Sequence, residues 1–425
     1  MNRILKLTVL LLLFHAASTQ AQPFSTFFRD STLRVDYIFA GNATTQEISL
    51  SQTNLIPRWW GKRQRLTEVP MEGNGQISVS DHRTGRPLYR NSFSTLFQEW
   101  QTYDEAKSTR RSFENSFLVP FPKDTVDIRV ELFDNRRTVT STFTFTLAPT
   151  DILIRHVGFS DVTPYVTLQQ AADTSHCIHI AYLAEGYRQE EMGTFLNDAR
   201  TAMEDLFAHE PFKSRRQCFN VVAVEAPSHD SGTSEPSKGI WKNTALHSHF
   251  DTFYSNRYLT TLNLFDLHNL LAGTPYEHII VLVNTAEYGG GGILNSYNLS
   301  MTHHKDFKPV VVHEFGHSFA GLGDEYAYEQ EQIPMYPKDV EPWEPNLTTL
   351  VDFKSKWKDL MQPSTPIPTK PDYKHPKIGV YQGAGYNLKD VYRGYPDCRM
   401  RTNSTPEFCP ICQRAITRVI DFYTR

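Results

Sequence analysis

The sequence predicts a two-part protein, an all-β, sandwich-like amino-terminal domain followed by a mixed α/β (α+β) domain. Three observations predict it. Segments rich in Val, Ile, Thr and Phe, alternating with period two, recur from Phe24 to about Thr150. Past Asp151 short apolar runs alternate with stretches of helical period. One helical stretch, around His313, gathers histidine, glutamate and glycine inside an apolar setting. A length of 425 residues accommodates two domains and a leader.

Met1 to Ala21 has the parts of a secretory signal: Arg3 and Lys6 near the start, an apolar core of Leu7 to Phe14, and small residues before a cut after Ala21. That core is far shorter than the roughly 20 residues that span a bilayer, and no later segment is long enough, so no membrane span is expected. The reading is an exported protein, periplasmic, cell-surface or extracellular, with domains over 22–150 and 151–425. The formal charge of -4 offers no general attraction to nucleic acid. The basic cluster Arg58 to Arg65, RWWGKRQR, reads as a turn whose tryptophans tuck into a core.

In the first domain TLRVDYIFAG, NGQISVSD, TVDIRVELFD and TVTSTFTFTLA read as strands bounded by Gly, Asn, Asp and Pro. Ala106 to Phe117, with its charges and serines, reads as a loop or short helix. The domain has no titratable cluster with metal-like spacing, which leaves it the role of a support, a substrate-binding module or a lid.

In the second, CIHIAYLAEGY at Cys177 to Tyr187, CFNVVAVEAP at Cys218 to Pro227 and HIIVLVN at His278 to Asn284 predict strands of a helix-covered sheet. Glu190 to His209 and Leu259 to Leu271 predict helices, and Phe353 to Leu360 a short one. His229, Asp230 and Ser231 are adjacent in a polar loop, which does not build a nucleophile, base and orienter, and no GxSxG is present. Gly289 to Gly292 lack a following GKS or GKT; a glycine-rich run beside an edge strand suits a peptide cleft, where a substrate pairs its backbone. The proline-rich stretches after Tyr326 carry Trp343, Trp357 and Tyr373 as anchors and read as ordered loops on the rim of that cleft.

The chemistry is concentrated in KPVVVHEFGHSFAGLGDEY, Lys308 to Tyr326. Spacing of four places His313 and His317 one turn apart on one helix face, where both reach a single ion, with Glu314 beside them to act on water. Val310, Val311, Val312, Phe315 and Phe319 make the helix a buried one, and buried imidazoles and a carboxylate call for a strong polar partner such as a divalent cation. A catalytic zinc needs a third protein ligand and an open position. Gly321 lets the helix stop and the chain turn back, and either Asp324 or its neighbour Glu325 then arrives.

This stretch resembles the metzincin metallopeptidases, whose motif ends its helix at a glycine and takes a third ligand three residues later. It departs by one residue inserted before the glycine: Ala320 stands where glycine is expected and Gly321 follows. HEFGHSFAGLGDEY as a whole, with YQGAGY at Tyr381 to Tyr386, CRM at Cys398 to Met400 and the pair in FCPIC, is very similar to the igalysins, the M64 family of secreted IgA-type metallopeptidases. The resemblance implies a metzincin-like catalytic domain, one zinc held by His313, His317 and Asp324, Glu314 as general base, Met400 in a turn beneath the metal, and an accessory amino-terminal domain. Tyr326 and Tyr395 are candidates to assist at the oxyanion.

Five cysteines complete the picture. In an exported chain a disulfide is expected for at least one pair, and Cys398 with Cys409 or Cys412 would pin the Met400 turn to the final helix, CPICQRAITRVIDFY, whose Ile411, Ala415, Val419 and Phe422 share an apolar face. The function read from these residues is hydrolysis of peptide bonds in a peptide or protein substrate. The alternatives are a zinc-containing, non-catalytic glycan- or protein-binding protein and a cell-wall peptide amidase. A closed four-ligand site would mark the binding protein.

Overall fold

The computed structural model describes residues 24–328 and 335–425; the leader reading falls outside the described residues. After a single turn α1 (Phe24–Phe27) the first seven strands are β1 (Phe28–Gly41), β2 (Gln46–Pro57), β3 (Gly75–Asp81), β4 (Pro87–Phe93), β5 (Arg111–Pro122), β6 (Val126–Phe133) and β7 (Val139–Leu147), with a short α2 (Leu96–Trp100) between β4 and β5. They form two antiparallel layers, β5-β1-β2 and β4-β3-β6-β7. A two-residue strand β8 (Arg155–His156) lies parallel to β2 and extends the first sheet past residue 150. Alternate residues of the layers, among them Leu33, Val35, Tyr37 and Phe39 from β1 and Ile128, Val130 and Leu132 from β6, are buried in a common core.

The loop or short helix expected over Ala106 to Phe117 gives way largely to strand. Only Asp104–Lys107 forms a 3-10 turn, and β5 runs from Arg111 along the whole of β1. Arg111, Glu114 and the serines hide a period-two set of Phe113, Phe117, Val119 and Phe121, all buried.

The second part is built on a six-stranded sheet of order β13-β14-β12-β10-β11-β9. Its strands are β9 (Tyr165–Gln169), β10 (Ile178–Glu185), β11 (Phe219–Val224), β12 (His278–Val283), β13 (Gly290–Ile293) and β14 (Tyr297–Met301). The four inner strands are parallel and the two edges antiparallel. Inner strands buried on both faces explain their apolar runs. Ala181, Leu183, Val281 and Val283 turn to the face shared with the sandwich core. Ile180, Tyr182, Ile280 and Leu282 turn to the other.

Against that second face pack α3 (Met192–Leu206), α5 (Phe307–Ala320) and α6 (Pro410–Thr424); the shorter α4 (Leu264–Leu270) packs on β5 of the sandwich. The helix expected over Leu259 to Leu271 is shorter, because Tyr258 bridges to Gly290 and His249 to Thr260 before α4 begins. The helix expected over Phe353 to Leu360 is two 3-10 turns, Phe353–Ser355 and Lys358–Leu360. A small sheet of β15 (Leu347–Thr348), β16 (Tyr381–Ala384) and β17 (Asn387–Arg393) completes the carboxy-terminal part. On α6 the buried face is Ile411, Cys412, Ala415, Ile416, Val419 and Ile420, and Phe422 is only half-buried.

Candidate metal centre and its cleft

Helix α5 enters through buried Val310, Val311 and Val312 and stops at Gly321, whose φ of 56° is left-handed. The Gly321 amide donates to the His317 carbonyl and that of Leu322 to the Gly316 carbonyl, which closes the end and turns the chain back. The returning loop is pinned on three sides. Asn346 bonds both the amide and the carbonyl of Gly323, the Gly385 amide donates to the Asp324 carbonyl, and the Glu325 amide to the Met400 carbonyl, each at 2.8 Å.

That path brings His313, His317 and Asp324 together. His313 Nε2 and His317 Nε2 are 3.0 Å apart, and Asp324 Oδ1 is 3.1 Å from the first and 3.3 Å from the second. His313 Nδ1 lies 3.0 Å from the Arg399 carbonyl and His317 Nδ1 2.5 Å from the Leu322 carbonyl. A carbonyl only accepts, so each Nδ1 carries the proton and each Nε2 presents a lone pair. Three acceptors aimed at one point demand a cation, and two imidazoles with a carboxylate are a donor set that zinc accepts. Burial disfavours a charged His317, but the charge of Asp324 and its hydrogen bond outweigh it, which shows how strongly this point draws positive charge.

Glu325, the rival carboxylate, points away. Its Oε1 accepts from Asn346 Nδ2 at 3.0 Å and from Cys412 Sγ at 3.1 Å, and burial beside Cys398 pushes it up to about 8. Glu314 stands half-buried at the cleft, its pKa raised by burial against the opposing pull of the two histidines. Met400 is fully buried beneath α5; a Cβ on Gly316 would come within 2.7 Å of its sulfur.

Sequence reasoning did not single out Tyr386. Its hydroxyl donates to Asp324 Oδ2 at 2.7 Å and lies 2.9 Å from that of Tyr326, whose ring stacks over His313. The YQGAGY segment drew notice, but no local pattern shows that its tyrosine meets a carboxylate 62 residues away. Of the two tyrosines considered, Tyr395 turns elsewhere, to the Pro376 carbonyl at 3.4 Å.

The donors sit in a cleft of about 1390 Å³ whose walls come from both parts of the chain, including Gln98, Glu99 and Tyr103 from the sandwich and Gly290 to Gly292 from β13. Glu99 accepts from Tyr258 at 2.7 Å, and burial holds it near 7. The glycines answer a packing demand: a Cβ on Gly290 would meet Glu314 Oε1 at 2.6 Å, and one on Gly292 the Glu314 carbonyl at 2.5 Å. The strand therefore lies directly against the motif helix. The expected disulfide is absent. All five cysteines are free, with Cys398 and Cys412 sulfurs 3.7 Å apart rather than bonded.

The family model described as IgA Peptidase M64 matches residues 166–377 and 370–420, and the one described as Peptidase M64 N-terminus matches residues 23–144. The chain belongs to the M64 peptidase family. As an M64 peptidase with a His–His–Asp cluster it is a zinc metallopeptidase. The amino-terminal match coincides with the β-rich part of this M64 peptidase, and the longer match with its mixed α/β part. No curated protein matches the chain significantly. Among its described residues no helix is long and apolar enough to cross a membrane.

Proposed function

We propose that the chain is an exported, metzincin-like zinc endopeptidase that hydrolyses peptide bonds inside extended polypeptides. The observation that carries this reading is the convergence of three side-chain donors at one point of an open cleft, with a carboxylate beside them. His313, His317 and Asp324 would hold the ion. When bound, zinc supplies Lewis-acid polarisation of a peptide carbonyl and acidification of water.

Glu314, a carboxylate whose pKa burial raises, takes a proton from the attacking water and passes it to the leaving amine. Tyr386 holds Asp324 in place through Oδ2, leaving Oδ1 toward the histidines. On β13 the Gly290 amide and carbonyl already pair with Arg257 and Leu259. Ladder alternation turns the Gly292 peptide groups the same way, where an extended substrate can pair with them. Met400 under Gly316 supports the metzincin likeness. Among the described residues no fourth His, Cys, Asp or Glu joins the His–His–Asp group, which favours an enzyme over a closed structural site.

The test is to incubate the purified chain with an unfolded protein, immunoglobulin A and peptidoglycan fragments, with and without chelator, and weigh the products. Internal cleavage of a polypeptide that stops with chelator is expected. Cleavage confined to cell-wall peptides, or none in a zinc-loaded protein, would refute the reading.

A further inference from the structure

A second cluster lies behind the cleft and plays no part in the chemistry above. Cys398, Cys409, Cys412 and Glu325 place one donor atom each within 4.8 Å of one another, and all four side chains are buried. We infer that this Cys–Cys–Cys–Glu pocket is a second, structural metal site that takes a thiophilic divalent ion, zinc above all.

The donor distances fit a tetrahedral site. Zinc bonded to two thiolates at about 2.3 Å holds their sulfurs about 3.8 Å apart, and Cys398 and Cys412 sulfurs lie at 3.7 Å. Glu325 Oε1 is 3.1 Å from Cys412 Sγ and 3.9 Å from Cys409 Sγ. Cys409 caps α6 and Cys412 sits in its first turn, where the helix dipole favours thiolates.

The pocket also leaves one polar atom without a partner. Glu325 Oε2 is buried without a hydrogen-bond partner among the described residues. Arg393, whose charge reaches Glu325, gives its guanidinium to the carbonyls of Gln382, Gly383 and Pro396 instead. A disulfide between two of the thiols would leave a third thiol and an under-bonded carboxylate in the same pocket, whereas one divalent ion engages all four. On binding, the thiol protons pass to solvent.

Such an ion would fasten the segments that shape the cleft. Glu325 follows Asp324 directly and its amide donates to the Met400 carbonyl. Cys398 immediately precedes Arg399, whose carbonyl holds His313 Nδ1. The C-terminal helix is tied to both. Because the donors are buried, the ion enters as the chain folds and resists chelators that strip the open cleft.

The experiment is metal counting on the full chain, purified with zinc present. Two zinc ions per chain are expected, one lost to mild dialysis against chelator and one retained, with the three thiols shielded from alkylation. His317→Ala should keep the retained ion. Refolding that variant in Co2+ should give a thiolate-to-cobalt charge-transfer absorption, which Cys412→Ser, made in the same background, weakens. One zinc per wild-type chain, no charge-transfer absorption in the folded His317→Ala protein, or a disulfide among these cysteines in the intact mass would overturn the inference. Should Cys412→Ser fail to fold, the wild-type count and the cobalt spectrum of His317→Ala still decide.

Discussion

Around the convergence point each side chain has a separable job. Glu314 shares a helix turn with the histidines but no donor atom with their cluster, so Glu314→Gln should bind zinc at full stoichiometry while hydrolysis falls about 10²- to 10⁴-fold. Activity preserved in a zinc-loaded variant would remove Glu314 from the mechanism. Tyr386 acts through Asp324: its hydroxyl fixes one carboxylate oxygen so that the other faces the rings. Tyr386→Phe deletes that bond with little change of shape, and zinc affinity, read by competition with a coloured chelator, should weaken about 10- to 100-fold. An unchanged affinity would show that the loop pins at Gly323, Asp324 and Glu325 hold the carboxylate unaided.

At the scale of elements, the decisive contact is between β13 and α5. Two glycines let a strand lie against the helix that carries the motif, and Gly292 has only backbone and a short stem to meet. A methyl there would stand 2.5 Å from the Glu314 carbonyl and 2.9 Å from His317 Cβ, neither of which can swing aside. Gly292→Ala should therefore lower stability by about 1–3 kcal/mol and reduce hydrolysis, because relief comes only by shifting the motif helix. Gly193, exposed in the first turn of α3 with open space around it, gives the opposite sign. Gly193→Ala should raise stability by up to about 1 kcal/mol with activity intact. Urea midpoints of the two variants check the pair, and equal shifts would sink the packing argument.

For the whole molecule, the sandwich and one face of the six-stranded sheet share a single core, so the two parts should unfold together. Buried histidines lie along this assembly. Burial, with the Arg34 charge, holds His268 down at about 3, and burial, with His179 nearby, does the same to His278. Each stays neutral in the fold and charges only on unfolding. Between about pH 6.5 and about 3 the unfolded chain therefore binds more protons, and stability falls as the pH drops through that window. At pH 5 the loss is on the order of 2 kcal/mol for each ring. His268→Gln should remove part of it: its urea midpoint should fall less than the wild type's between pH 7.5 and pH 5. Parallel pH profiles would show that His268 takes no part.

What local periodicity and short spacing encode is legible in the residues alone. Period-two alternation marked four strands of the sandwich, apolar runs marked β10, β11 and β12, and the interval from His313 to His317 placed two imidazoles on one face of a helix, since a helix turn needs no distant information. β5 was hidden because its outward charges and serines masked Phe113, Phe117, Val119 and Phe121, whose burial depends on β1 and the opposing sheet. Which of Asp324 and Glu325 faces the histidines depends on the fold around them. They are neighbours with the same chemistry, and the direction of each is set by Asn346, Gly385 and Met400 reaching the loop from far along the chain. The same holds for Tyr386 on Asp324, and for the cysteines. Spacing offered a disulfide, but the fold inserts Glu325 among three free thiols. Contacts between segments so distant in sequence leave no periodic trace, because they arise from how packed elements meet rather than from how any one of them is built.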